Sequence, residues 1–272
     1  MLDVDATIAA LTRDPARTAL CVDFDGSLAP IVERAEDARP LPGALTQLER
    51  LAPHLGRIAV ISGRPVGYLV EHVPIRGVTY TGLYGMEHVD GDHRTVDPRV
   101  EPYLGQIATV TNTLTARFGP ELVEPKSGVS VTVHWRPAPE RAEEMCEVAD
   151  QLAEKYSLAT LRTRMAIEIR PPIAVDKGDA ARAAITGFDV AAFAGDDTGD
   201  LPAFGALRDA VADGTLQAAV CIGVHSPEAP PELVATVDIL VDGPGGLVAL
   251  LARVADEIVE PHAGGTRSRE RS

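Results

Sequence analysis

The chain is predicted to fold as an open, mostly parallel α/β sheet carrying an inserted α+β unit. Three observations predict this. Short continuous apolar runs recur and end in small or polar residues, which suits strands buried on both faces. Helical spacing lies between those runs, and strand alternating with helix implies an open α/β sheet. In the middle of the chain the continuous runs give way to strict alternation, the mark of a sheet with one polar face.

The first strand is Ala19–Val22, which ends in Asp23. Leu45, Leu48, Ala52 and Leu55 then recur at helical spacing after Pro42-Gly43. Ile58–Ile61 is the next strand and ends in Ser62; Val89–His93 carries a hairpin turn around Asp90-Gly91. The insertion is expected over residues 99–172. There Val129–Trp135 alternates as a half-exposed strand, and Ala142, Met145, Cys146, Ala149, Leu152, Ala153 and Tyr156 form a helical stripe. Leu158–Arg164 and Met165–Arg170 are further strands; Met165, Ile167 and Ile169 share one face of the second while Glu168 points the other way. Pro171-Pro172 reads as the return hinge.

Beyond it a helix over Ala180–Ile185 follows Asp176-Lys177-Gly178. Strands Ala191–Ala194, Ala218–Ile222 and Val237–Val241 complete the pattern. The expected division is a core over 1–98 and 173–260, the insertion at 99–172, and a disordered polar tail over 261–272. Ligands of open α/β sheets bind beyond the carboxyl ends of the strands. Asp23, Ser62 and Asp196 would all lie there.

Composition narrows the partners. The 272 residues are about two domains long, and 45% hydrophobic content is ample for a core. The net charge of −15 opposes nucleic-acid binding and docking on anionic membranes. The three cysteines, Cys21, Cys146 and Cys221, are scattered and fit reduced residues of a cytoplasmic protein. The acidic start, Met1-Leu2-Asp3-Val4-Asp5, lacks the apolar stretch of a signal peptide, and no run reaches the length of a membrane span. Twenty-two of the 25 basic residues are arginine, so the lysines Lys126, Lys155 and Lys177 stand out.

Asp23-Phe24-Asp25-Gly26 sets two carboxylates two residues apart at a strand end. Burying such a pair is costly unless a cation or phosphoryl group shares the space. Two hard oxygen ligands suit magnesium, and a carboxylate can carry a phosphoryl group covalently. An Asx turn after a core strand would account for the same residues. Ser62-Gly63-Arg64 offers a hydroxyl and N–H groups to a phosphate oxygen, or a cap to the next helix. Lys177 could bring a point charge to a phosphoryl group, or be a solvated helix-start lysine. Asp196, Asp197 and Asp200 repel one another unless a cation is present; one as metal ligand and one anchoring the lysine would explain them.

The order D-x-D-G, S-G-R, K-G, G-D-D-x-x-D resembles the haloacid dehalogenase (HAD) superfamily of phosphotransferases. The insertion between the second and third motifs resembles that superfamily's C2 cap on its Rossmann-like core. Within the superfamily the chain is similar to trehalose-6-phosphate phosphatases over roughly residues 18–255. The specific marks are Asp23–Ile31, Ile61–Pro65, Glu124-x-Lys126, and Glu168-Ile169-Arg170-Pro171 before Asp176-Lys177-Gly178. The resemblance implies that Asp23 attacks phosphorus and that Asp25 serves as acid and then base. It implies that Ser62 and Lys177 hold the phosphoryl oxygens and that Asp200 supports the site. Magnesium would bind the Asp23 carboxylate, the Asp25 backbone carbonyl and Asp196. Arg64, Glu124, Lys126 and Glu168 would bind the sugar phosphate, a small-molecule substrate, and the chain would act as a monomer.

Two departures stand out. The family's G-x-H-G reads Gly82-Leu83-Tyr84-Gly85, and its G-D-D-x-T-D-E has Gly199 and Leu201 at the Thr and Glu positions. No H-E-x-x-H zinc motif or G-x-S-x-G elbow occurs. Gly243-Pro244-Gly245-Gly246 is not a dinucleotide fingerprint and suits a tight strand–helix turn. The expected activity is magnesium-dependent hydrolysis of trehalose 6-phosphate. The alternatives are the same chemistry on sucrose phosphate or a glycosyl phosphoglycerate, or a silent sugar-phosphate-binding subunit.

Overall fold

A computed structural model describes residues 3–260 other than 33, 164 and 227–229. The expected disordered tail at 261–272 lies outside the described residues. In chain order the strands are β1 (Thr18–Val22), β2 (Arg57–Ile61), β3 (Val78–Gly82), β4 (Glu87–Asp90), β5 (His93–Val96), β6 (Val123–Lys126), β7 (Ser130–His134), β8 (Ala159–Thr163), β9 (Ala166–Arg170), β10 (Val190–Gly195), β11 (Ala218–His225) and β12 (Ile239–Asp242). The α-helices are α1 (Val4–Thr12), α2 (Pro42–Leu51), α3 (Val66–His72), α4 (Leu104–Phe118), α5 (Ala142–Tyr156), α6 (Lys177–Ile185), α7 (Leu201–Ala212), α8 (Pro231–Thr236) and α9 (Gly243–Val259).

Eight strands form one sheet in the order β12-β11-β10-β1-β2-β3-β4-β5. Pairing is parallel from β12 through β3 and antiparallel for the β4–β5 hairpin. Alternate residues of the central strands feed opposite faces. Leu20, Val22, Ile58 and Val60 pack with Leu48 and Leu51 of α2 and Leu250 and Leu251 of α9. Ala19, Cys21, Ala59, Ile61 and Phe193 pack with Ala181 of α6 and Phe204 and Leu207 of α7. Both faces are thus covered, as the continuous apolar runs predicted. Each fully buried Leu, Ile or Phe contributes about 1.5–3 kcal/mol.

The insertion forms its own antiparallel sheet, β6-β7-β9-β8. Val131, Val133, Ile167 and Ile169 face Ile107, Val110 and Leu114 of α4 and Met145 and Ala149 of α5. The alternation in Val129–Trp135 predicted an opposite face in solvent, and here the structure corrects the expectation. Ser130, Thr132 and Glu168 are buried on that polar face. Their side chains and that of Lys126 are covered because this face meets the strand ends of the larger sheet, where Lys126 reaches Gly63. Strand β3 had no clear signal, because its Val78-Thr79-Tyr80-Thr81-Gly82 alternates although every residue is buried. Among the described residues no helix is long and apolar enough to cross a membrane.

Candidate active site

Asp23 follows β1 directly and extends its ladder, donating its backbone N–H to Ala194 O at 2.9 Å. Because β1 lies between β10 and β2, the residues after those three strands meet. The chain turns away at Gly26, with φ +81°; a Cβ there would lie 2.1 Å from Asp196 Oδ2. Only glycine lets this turn approach the Asp196 carboxylate so closely.

Asp196 and Asp197 follow β10, and Asp200 folds back beneath them. One Asp200 oxygen accepts the N–H groups of Asp196 and Asp197, at 2.9 and 3.1 Å. Its other oxygen accepts Lys177 Nζ at 2.7 Å. Lys177 also reaches Asp23 Oδ1 at 2.8 Å. The solvated reading of Lys177 is therefore overturned: it is 4% exposed. A capping box directs it inward. Asp176 accepts the N–H groups of Gly178 and Asp179 at 2.7 and 3.1 Å, and Asp179 accepts that of Asp176 at 3.3 Å.

Asp23, Asp196 and Asp200 each offer a carboxylate oxygen within 4.8 Å of the others, a set that could hold a metal ion. Burial raises the Asp23 carboxyl well above its usual range; Lys177 opposes this, and Asp200, Asp196 and Asp197 add to it. Burial would lower Lys177, but Asp200 and Asp23 outweigh it and the ammonium is held charged. The hard donor set, the mutual repulsion and the cradle beside Gly26 all fit a small divalent cation.

Ser62 follows β2, and its Oγ accepts Arg64 N–H at 3.2 Å. Arg64 forms a two-point pair with the Asp25 carboxylate, Nε at 2.8 Å and Nη2 at 2.7 Å. Its guanidinium lies 4.6 Å over the Tyr68 ring, and Nη1 is 4.0 Å from Glu124. The Asp25 side chain thus lies outside the three-carboxylate group; the expectation for Asp25 as a ligand concerned its backbone carbonyl.

The polar face of the second sheet supplies the opposite wall. Register sets Glu124, Thr132 and Glu168 in one cross-strand row, with Thr132 between the carboxylates. Lys126 Nζ donates to Glu168 at 3.0 Å and to Gly63 O at 3.3 Å. Glu124 is 2.8 Å from His134 Nε2. Burial alone would raise Glu124, but His134, Lys126 and Arg64 together bring it down to about 2. The Oγ1 of Thr132 is buried and has no hydrogen-bond partner among the described residues.

A cavity of about 720 Å³ joins the two walls. Asp23, Asp25, Ser62, Arg64, Lys177 and Asp196 line it from the first sheet, and Glu124, Lys126, Thr132 and His134 from the second. Of the expected site residues, Asp200 and Glu168 stand behind this lining, each fully buried and bonded to a lysine that faces the cavity. Of the cavity lining, the sequence reading missed Thr132, His134, Arg136 and Arg162. Thr132 and His134 did leave a signal, since they are the polar positions of an alternating strand.

A family model described as trehalose-phosphatase matches residues 21–228. The trehalose-phosphate phosphatase of Mycobacterium avium (strain 104) is 30% identical over 254 residues, covering 88% of this chain and 62% of that protein. That of Mycobacterium leprae is 34% identical over 171 residues, covering 61% of this chain and 39% of that protein. The chain thus spans less than two thirds of the length of these curated relatives. Among solved structures, the C-terminal domain of Candida albicans trehalose-6-phosphate phosphatase aligns with a TM-score of 0.75 at 20% identity, covering 93% of this chain and 97% of that one. A Bacteroides thetaiotaomicron phosphatase of the HAD superfamily aligns at 0.54 and 15% identity, covering 87% and 94%. These structural likenesses establish an HAD fold.

Proposed function

The chain belongs to the trehalose-phosphatase family, and on that footing we propose that it hydrolyses a sugar phosphate, with trehalose 6-phosphate as substrate and trehalose and phosphate as products. One observation carries the reading. A buried carboxylate–lysine cluster at three adjacent strand ends faces a second polar wall across one cavity. The first wall suits a phosphoryl group, and the second, with carboxylates, an ammonium and a hydroxyl, suits sugar hydroxyls.

In this reading Asp23 attacks phosphorus, and the bond from phosphorus to the sugar oxygen breaks. Asp25 gives that oxygen a proton, then takes one from the water that attacks the aspartyl-phosphate, as the bond from phosphorus to Asp23 breaks, phosphate leaves and both carboxyl groups are restored. Asp25 exchanges its pair with Arg64 for the leaving oxygen as the substrate enters. Ser62 and Lys177 hold the phosphoryl oxygens, and Asp200 fixes Lys177. Glu124 and Lys126 meet the sugar, while Glu168 acts through Lys126. Magnesium, held by the Asp23 and Asp196 carboxylates and the Asp25 carbonyl, would supply charge neutralisation at the phosphoryl group.

We further propose a core over 1–98 and 173–260 with a cap over 99–172. The free, buried Cys21 and Cys221 support a cytoplasmic setting. The net charge of −15 supports a small-molecule partner rather than nucleic acid, and we read the chain as a monomer.

Phosphate release from a panel of sugar phosphates, with magnesium and with EDTA, tests the reading. Asp23→Asn is expected to lower release by about 10³-fold or more while the fold is kept. Undiminished turnover in that variant would remove the nucleophile assignment. Turnover of a different sugar phosphate would keep the chemistry and replace the substrate.

A further inference from the structure

We propose that Tyr84 is a specificity-determining residue: its hydroxyl contacts an oxygen of the sugar beside the bound phosphoryl group, and so favours sugar phosphates over simple phosphate esters. The assignment rests on the sugar-phosphatase reading above and adds a residue to it.

The backbone is the first observation. Leu83, Tyr84 and Gly85 take φ values of 50°, 59° and 118° in succession. Left-handed backbone costs a non-glycine residue roughly 1–2 kcal/mol, and such strain persists only where the surroundings enforce it. Here the Ser62 loop enforces it. Leu83 N–H donates to Arg64 O at 3.0 Å, and Tyr84 N–H donates to Ser62 O at 3.1 Å. The Leu83 side chain is fully buried, which locks the turn from behind. On its other side the turn packs toward Val175 and Asp176, the residues that lead into Lys177.

The ring is the second observation. A Cβ on Gly63 would lie 2.6 Å from Tyr84 Oη, so the hydroxyl is set against Gly63. The Gly63 carbonyl is also the group that Lys126 reaches from the second sheet, at 3.3 Å. Arg170 lies 5.3 Å over the ring. Lys177 and Asp197 act on the phenol from one wall, and Glu168 and Lys126 from the other. Tyr84 therefore stands where the two walls meet, on the cavity lining.

A tyrosine hydroxyl that is buried usually finds a hydrogen-bond partner within the protein. Tyr80 does so, to Val73 O at 2.5 Å, and Tyr68 to Ala38 O at 2.5 Å. The Tyr84 hydroxyl makes no hydrogen bond among the described residues, and an oxygen of a bound sugar would supply its acceptor. Burial first, then Glu168, push the phenol up to about 12 against Lys126 and Lys177, so it remains an O–H donor at neutral pH.

The test compares the parent chain with Tyr84→Phe on two substrates: the sugar phosphate that the parent hydrolyses fastest, and p-nitrophenyl phosphate. Phe keeps the ring and its packing, and a thermal unfolding curve matching the parent's checks the fold. The expected result is a kcat/KM about tenfold lower for the sugar phosphate, with p-nitrophenyl phosphate within about twofold of the parent. A sugar-phosphate kcat/KM within about twofold of the parent would overturn the assignment. So would an equal loss on both esters, which would make Tyr84 a support of the phosphoryl site alone. If the parent releases phosphate from no sugar phosphate, the functional reading and this assignment fall together; in the other two outcomes the functional reading stands.

Discussion

Both sheets place a lysine on the cavity wall and a fully buried carboxylate behind it. In the parallel sheet the pair is Lys177–Asp200 at 2.7 Å; in the antiparallel sheet it is Lys126–Glu168 at 3.0 Å. The origins of the two pairs differ. Asp200 comes from a tight turn after β10, and Lys177 from the first turn of α6, so both belong to loop and cap geometry. Glu168 and Lys126 come from within strands, and only the antiparallel register brings them to one face. Loop-built charge stays at a strand end, next to Asp23. Strand-built charge spreads over a surface, which suits a ligand with many hydroxyls. In the proposed reading the same kind of ion pair serves two tasks, one at a point and one across a face.

This contrast can be broken most sharply at the lysines. Lys177→Met is expected to lower turnover of every phosphate ester by about 10³-fold, because it removes the cation beside the proposed phosphoryl site. Lys126→Met is expected to lower kcat/KM for the sugar phosphate by about 50-fold and to change p-nitrophenyl phosphate little. Equal losses on both esters for Lys126→Met would show that the two walls share one task.

Acid sharpens the comparison next. Glu124 is held down at about 2, against an ordinary 4.5. A carboxyl lowered on folding contributes stability in full above its unfolded value and loses it as pH falls toward the folded one. Between about pH 4.5 and about pH 2 this contribution of roughly 2–3 kcal/mol should disappear. Urea unfolding at about pH 5 and about pH 3 measures it, and Glu124→Gln should flatten the difference. An unchanged pH dependence in that variant would place the acid sensitivity elsewhere.

The smallest effect is expected at Thr132. Its unpartnered hydroxyl sits between Glu124 and Glu168, and Thr132→Val preserves the shape while removing the donor. A fall of about fivefold in kcat/KM for the sugar phosphate is expected, with unchanged stability. A more stable variant with undiminished kcat/KM would mark the hydroxyl as a mere burial cost.

Much of the first wall was legible in the sequence. Asp23, Ser62 and Asp196 each end a continuous apolar run, and a parallel sheet puts such ends on one edge. The second wall was half legible. Alternation identified its strands and faces, but read its polar side as solvated. Nothing local reveals that Ser130, Thr132 and Glu168 are buried, since that depends on a wall supplied by distant residues. Glu168 and Lys126 are 42 residues apart and look like ordinary surface charges until paired.

The amino-acid sequence by itself determined the α/β class, the insertion and the residues at the strand ends, because periodicity and turn chemistry act over a few neighbouring residues. Tertiary structure alone decided that Arg64 takes Asp25, that Lys126 spans the two sheets, and that Tyr84 stands at their junction with no hydrogen-bond partner for its hydroxyl among the described residues. Those outcomes follow from the order β10-β1-β2 in one sheet and the register in the other. Long-range packing fixes both, and it also decides which charges leave water and which partners meet them there.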